Sequence, residues 1–179
     1  KIVVSGGAWS SFIKVLDVAS PNLRIEPVKG QMVCFDSTGS APNIARHVIY
    51  SPRGYLVPRR DGRVLAGSTT EHAGFDKEVT ASGVHSILSH ALEISPRVSD
   101  LPLIGVWAGL RPRTPDNLPV LGPCEQIRGL VFATGHYRTG ILLAPVTGEL
   151  IADAILDNVV SRDLNAFSPD RFTSVGVNP

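Results

Sequence analysis

The stretch from Val131 to Val160, VFATGHYRTGILLAPVTGELIADAILDNVV, most constrains the fold. It places a short apolar strand, a turn flanked by Gly135 and Gly140, and a long apolar helix in direct succession. A strand feeding a helix through a glycine turn presents the helix's first backbone N–H groups, which have no partner inside the helix, to an anion or an electron-rich ring. A second segment, Trp107 to Arg111, reads as a strand whose odd positions share a face, so Arg111 points with Trp107 and Gly109. Both segments look buried. Each delivers an arginine, Arg111 or Arg138, into surroundings with few acids. Two arginines among glycines suit a carboxylate held beside a flat cofactor.

At 179 residues the chain can bury one core, or one domain plus pieces of another. Seventeen basic and sixteen acidic residues leave a net charge of +1, which gives no support to nucleic-acid or membrane-surface binding. Arg53, Arg59, Arg60 and Arg63 cluster, but without the interleaved exposed aromatics of a nucleic-acid groove. Cys34 and Cys124 are too few for a disulfide framework or a metal site, and are expected as free thiols in a reducing cytoplasm. His85 and His90 lie five apart, the wrong spacing for one helical face, and no other cluster has metal-ligand spacing. The apolar run Ile141 to Val160 is broken by Pro145, Glu149, Asp153 and Asp157 and is not a membrane span. The abrupt opening Lys1-Ile2-Val3-Val4, with no leader, is expected of the C-terminal portion of a longer protein.

In chain order, Lys1 to Ser5 reads as a strand turned by Gly6-Gly7, with Trp9, Phe12, Ile13 and Leu16 on one helical face. Leu23 to Phe35 reads as a strand whose Pro27 and Gly30 imply an edge, bend or bulge. Residues 36–46 form a polar loop. From His47 to Glu71, two strands flank Asp61-Gly62, which predicts a two-residue type I′ hairpin. That register pairs Val57 with Ala66, Tyr55 with Ser68 and Arg53 with Thr70, putting Arg53, Tyr55, Val57, Ala66, Ser68 and Thr70 on one face. The face is either a substrate wall or a half-solvated sheet. Thr80 to Ser95 predicts an amphipathic helix capped by Thr80 or Ser82, with a stripe of Val84, Ile87, Leu88, Ala91 and Leu92. Leu103 to Arg113 and Val131 to Gly135 are strands. Ile141 to Asn158 is the final helix, with Leu143, Val146, Leu150, Ala154 and Ile155 as its stripe and Pro145 kinking it or marking its first turn. The tail is expected to fray beyond Phe172.

WAGLRPRTPDNLPVLGP followed by FATGHYRTGILLAPVTGELIAD resembles the C-terminal part of the D-amino acid oxidase family of FAD-dependent oxidoreductases, and within it the glycine oxidases of thiamine biosynthesis. VVSGGAWS (3–10), PVKGQM (27–32) and GYLVPRRDGRVLAGSTTE (54–71) extend the resemblance over nearly the whole chain, in order. The family's opening GxGxxG turn, which holds the FAD diphosphate, does not occur in these residues. The resemblance implies an α+β chain in three stretches. Residues 1–22 would be a remnant of an FAD-binding Rossmann-like domain. Residues 23–125 would be a substrate-binding domain of antiparallel or mixed sheet with flanking helices. Residues 126–179 would return to the FAD-binding domain with its terminal strand, flavin-contacting turn and final helix.

It also implies roles. Arg111 would hold the substrate carboxylate, Tyr55 would supply a hydroxyl, and Arg138 would help position the substrate, with Arg53, Ser68 and Thr70 lining the wall. Gly6, Gly7, Trp9, Gly135, His136, Tyr137, Arg138, Thr139, Gly140 and Ile141 would face FAD. The implied reaction oxidises a small amino acid, with hydride passing to FAD and dioxygen yielding hydrogen peroxide. Arg53 stands where the family pattern has histidine, and the position near Thr70 also departs from it, so glycine, sarcosine, proline and D-amino acids all stay open as substrates. The 179 residues alone are expected to be inactive, to hold FAD weakly, and to self-associate or expose an apolar patch near residues 1–16 and 131–150. On the residues alone, Arg111 could instead form a structural ion pair with Asp116, and Gly6-Gly7 could be a plain turn. Two other readings stay open, a non-catalytic anion-binding module and a quinone-linked dehydrogenase.

Overall fold

In a computed structural model, residues 1–14, 17, 19, 22–39, 44–157 and 162–172 are described. Leu16, the end of the predicted last helix at Asn158 and the tail beyond Phe172 lie outside them. The chain divides into two compact units, Lys1–Pro27 with Arg111–Pro179, and Val28–Leu110.

The first unit contains strands β1 (Ile2–Val4), β7 (Val120–Pro123) and β8 (Leu130–Thr134) in the order β1-β8-β7. β1 runs parallel to β8, with Val4 opposite Phe132, and β7 runs antiparallel to β8, with Val120 opposite Thr134. β8 reads as an unbroken apolar run because both of its faces are covered. Leu130 and Phe132 join Val4, Leu23, Ile25, Val120 and Cys124 on one side. Val131 joins Leu121, Ile151 and Leu164 on the other. Burying each such side chain contributes roughly 1.5–3 kcal/mol.

Ile151 comes from the last helix, α2 (Gly140–Leu156). Its buried residues are Thr147, Ile151 and Ala154, so the buried stripe is rotated from the expected one, and Val146 is 45% exposed. Pro145 lies in the helix's second turn. Arg171 docks the segment 162–172 by bonding Asp116 Oδ2 at 2.7 Å and the carbonyls of Phe167, Leu118 and Pro119 at 2.7, 3.1 and 3.0 Å. The segment from Gly7 to Phe12 is a 3-10 helix rather than the start of an amphipathic helix, and Trp9 and Phe12 are exposed.

The second unit holds a five-stranded sheet in the order β3-β4-β5-β2-β6. Its strands are β2 (Glu26–Asp36), β3 (Ile49–Ser51), β4 (Gly54–Pro58), β5 (Arg63–Gly67) and β6 (Leu103–Arg113), of which β2 and β6 cross the unit boundaries. Helix α1 (Ala81–Ile94) is capped by Thr80, whose hydroxyl accepts from Gly83 N–H at 3.1 Å. Its Ile87 and Ala91 pack on Val33, Phe35, Leu56, Val64 and Ala66, a single face of the sheet.

Three expectations change here. Of the edge, bend or bulge that Pro27 and Gly30 implied, the edge is excluded, because β2 lies between β5 and β6; its ladder with β5 covers Met32 to Asp36 and does not reach Pro27. β6 ends the sheet order and is not buried, with Leu103, Ile104, Val106 and Trp107 all more than 40% exposed.

The third change is the hairpin register. Tyr55 pairs with Gly67, Leu56 with Ala66 and Val57 with Leu65, one residue away from the predicted pairing. The loop is three residues long. Gly62 N–H donates to Arg59 O at 3.2 Å, Gly62 takes φ +85°, and Arg59 N–H bonds Arg63 O at 2.8 Å. An Asp-Gly pair serves either loop, because the longer one needs a positive φ only at the glycine. Asp61 keeps a negative φ and accepts from Arg63 N–H and Nε at 3.2 and 2.9 Å, which favours the longer form. A one-residue slip reverses the face of every partner. Ala66 therefore joins the α1 core, and Tyr55 shares its face with Val57, Leu65, Gly67 and Met32.

Candidate active site

In the first unit, the glycine stretches expected to face a cofactor do come together. β1 and β8 are parallel neighbours, so Gly6-Gly7 and the Gly135 turn both leave the carboxyl ends of adjacent strands, where open parallel sheets bind ligands. Buried Ser10 and Thr134 join them through a 3.0 Å hydrogen bond between their hydroxyls. Neither residue was singled out from sequence, because a small hydroxyl in a strand–turn segment carries no distinguishing pattern.

The turn itself is tightly specified. Gly135 has φ +75°, and a Cβ there would lie 2.6 Å from Thr114 Cγ2. Tyr137 is also left-handed, at φ 50°, and its N–H donates to Pro112 O at 3.0 Å. That bond ties the turn to the residue next to Arg111. His136 turns inward, where its Nε2 shares a 3.0 Å hydrogen bond with Thr147 Oγ1 of α2. Burial pushes its pKa down, which favours the neutral imidazole. Arg138 is exposed, with its guanidinium 5.4 Å from the Tyr137 ring centroid. Thr139 directs its hydroxyl back to His136 O at 2.9 Å and does not cap α2. The first N–H groups of the helix therefore have no side-chain cap. Ile141 beside them is 96% exposed.

These residues fit a flat ring that gains negative charge on reduction. Gly7 has φ +55° with open space where a Cβ would stand, so a ring could approach its backbone closely. Trp9 and Ile141 offer exposed apolar surface. Neither stretch, Gly6 to Phe12 or Gly135 to Ile141, contains an acid. The diphosphate of FAD would need a glycine-rich turn, and the 179 residues contain no GxGxxG.

Arg111 is half-buried on β6. The alternative partner considered for it, Asp116, is bound by Arg171 and accepts from Leu118 N–H at 3.1 Å. Arg113, two residues on, bonds Asn117 Oδ1 at 2.9 Å and pairs with Glu26 at 3.4 Å.

Tyr55 belongs to the second unit and is described within it. It is half-buried, its hydroxyl lies 3.3 Å from Met32 Sδ, and its ring stacks on Tyr50 at 6.4 Å. The expected wall is not one strand face. Arg53 sits in the turn between β3 and β4 and pairs with Glu93, and both side chains are 57% exposed. Ser68 and Thr70 lie beyond the end of β5. Both cysteines are free and buried. Among the described residues, no His, Cys, Asp and Glu cluster could hold a metal, and no helix is long and apolar enough to cross a membrane.

Residues 1–154 match the profile of the FAD dependent oxidoreductase family, DAO, and the chain belongs to it. It is 40% identical to the bifunctional protein ThiO/ThiG of Synechocystis, over 99% of this chain and 26% of that protein. It is 39% identical to the glycine oxidase of Pseudomonas putida, over 95% of this chain and 45% of that enzyme. The crystal structure of glycine oxidase from Geobacillus kaustophilus superposes with a TM-score of 0.84 at 34% identity, covering 94% of this chain and 45% of that one. The chain thus spans between a quarter and a half of the length of these relatives.

Proposed function

We propose that this chain forms the flavin-facing turn and the substrate-binding region of an FAD-dependent amino acid oxidase that acts on a small amino acid such as glycine, sarcosine or a D-amino acid. The observation that carries this reading is the bond from Tyr137 N–H to Pro112 O, 3.0 Å long. It fixes the strand bearing Arg111 against the glycine turn at the carboxyl ends of β1 and β8.

FAD, when bound, supplies the two-electron acceptor for hydride from the substrate α-carbon, with dioxygen as final oxidant, hydrogen peroxide as co-product and an imino acid as product. Gly6, Gly7, Trp9 and Gly135 to Ile141 are the residues that would hold its ring. The uncapped N-terminus of α2 supplies N–H dipoles for negative charge there. Arg111 binds the substrate carboxylate through its planar fork, which fixes orientation as well as charge. Tyr55 contributes a hydroxyl donor, and exposed Arg138 helps position the substrate. No strong base is required when the substrate amine binds neutral, and orientation of the α-carbon accounts for much of the acceleration. An imine made from glycine would suit thiazole formation in thiamine synthesis.

The test is a flavin spectrum and a peroxide assay of the longer protein carrying this chain, with glycine, sarcosine and D-alanine. Peroxide with at least one of them supports the reading. Flavin reduction without peroxide points to a quinone-linked dehydrogenase, and no reduction by any of them overturns the oxidase reading.

A further inference from the structure

Beyond β5 the second unit contains a polar network around buried Lys29 and Gln31 that the site as described does not use. The ladder of β2 with β5 ends at Met32 opposite Gly67, and the next bridge pairs Lys29 with Glu71. Three residues, Ser68, Thr69 and Thr70, therefore face two, Gly30 and Gln31. This extra residue is a bulge, and bulges re-aim side chains next to sites.

The bulge is pinned at its far end by reciprocal backbone bonds between Lys29 and Glu71, both 2.9 Å. In its middle, Gln31 N–H donates to Thr69 Oγ1 at 2.8 Å. Thr69 also donates to Glu71 through a short hydrogen bond. Glu71 further accepts from Gln31 Nε2 at 2.8 Å and from Lys29 Nζ at 3.3 Å.

Lys29 is 2% exposed, and its ammonium bonds Asp76 Oδ2 at 3.1 Å and Glu78 O at 3.0 Å as well. Gln31 also bonds the Thr80 cap of α1, accepting from its N–H at 2.9 Å. A buried ammonium is retained only when it is paired and hydrogen-bonded, and Lys29 meets that condition with Glu71, Asp76 and Glu78, all from the segment that follows the bulge.

Thr69 and Glu71 are thus turned toward Lys29 and Gln31, on the α1 side of the sheet. Thr70 between them is exposed, and alternation puts it on the opposite side, the side of Tyr55 and Met32. We propose that Lys29 is a specificity-determining positioning residue: through Glu71 and Thr69 it holds the Ser68–Thr70 bulge in the shape that selects the amino acid side chain. This rests on the oxidase reading above and on the wall role that the family resemblance gives Ser68 and Thr70, which lie beyond the end of β5. Lys29 itself touches neither substrate nor cofactor in this proposal.

Three variants test it in the longer protein: Lys29→Met, Lys29→Arg and the nearly isosteric Thr69→Val, which removes only the hydroxyl tie. Hydrogen exchange at the Glu71 amide reads the bulge directly, without turnover. The KM ratio for D-alanine against glycine reads selection. Expected results are at least ten-fold faster Glu71 exchange in Lys29→Met with exchange in α1 unchanged, and a KM ratio shifted at least five-fold at similar kcat. Lys29→Arg should restore both readouts, and Thr69→Val should shift them in the same direction. If Lys29→Met does not fold, Thr69→Val alone decides. Unchanged exchange overturns the positioning role, and faster exchange with an unchanged KM ratio overturns the role in selection. A wild-type protein that oxidises neither amino acid instead removes the oxidase reading, an outcome separate from both.

Discussion

Gly135→Ala isolates the constraint that shapes the candidate flavin turn. Alanine at φ +75° pays the left-handed penalty, about 1–2 kcal/mol. Its Cβ would also lie 2.6 Å from Thr114 Cγ2. Thr114 cannot retreat easily, because it is 1% exposed and its hydroxyl donates to Leu118 O at 2.7 Å. Overpacking of this kind adds about 1–3 kcal/mol. The sum, about 2–5 kcal/mol, corresponds to a fall in Tm of roughly 4 to 20 °C for a chain of this size. Gly129 provides the control, since its φ is +89° but nothing lies within 4 Å of its Cβ position. Gly129→Ala should therefore show the backbone part alone, about 1–2 kcal/mol. Thermal unfolding of both variants by circular dichroism separates the two contributions. If Gly135→Ala melts together with Gly129→Ala, the close approach to Thr114 does not constrain the turn.

Thr80→Ala removes the acceptor for Gly83 N–H and should lower stability by about 1 kcal/mol, read from the urea midpoint, with Thr80→Ser close to wild type. Burial lowers the His136 pKa from its ordinary 6.5, so the stability it contributes is complete above that pH and is lost as pH falls through the folded-state value. His136→Gln should flatten the acid limb of stability against pH, and an unaltered limb would refute the assignment. The 179-residue chain by itself should carry no stoichiometric flavin, for want of a GxGxxG turn; a preparation with one flavin absorbance per chain would contradict this.

The strand–turn–helix at 131–156 was legible because an apolar run, two glycines and a helical stripe agree on one structure. The span of β6 and the Thr80 cap were legible for the same kind of reason. The hairpin register was not. Asp61-Gly62 is compatible with two loop lengths, and the choice depends on Asp61's bonds to Arg63 and on Ser37 N–H reaching Gly62 O at 2.9 Å, a partner 25 residues away. The substrate wall inferred from that register changed with it. The network around Lys29 left only a faint trace, a lysine inside the strand PVKGQM, because its partners Glu71 and Asp76 lie more than 40 residues on. The exposure of Trp107 was hidden because an apolar strand looks the same whether or not anything covers it.

The central claim is that Arg111 orients a small amino acid for oxidation beside the Gly135–Gly140 turn. Its most direct test is an anaerobic glycine titration of the longer flavin-loaded protein, wild type against Arg111→Lys, followed by flavin bleaching. Lysine keeps the charge but loses the two-bond fork, and charge-assisted bonds are each worth about 1.5–3 kcal/mol, so half-saturation should rise by roughly ten- to a hundred-fold. Bleaching at the same glycine concentration in both proteins, or none in the wild type with glycine, sarcosine or D-alanine, would contradict the account.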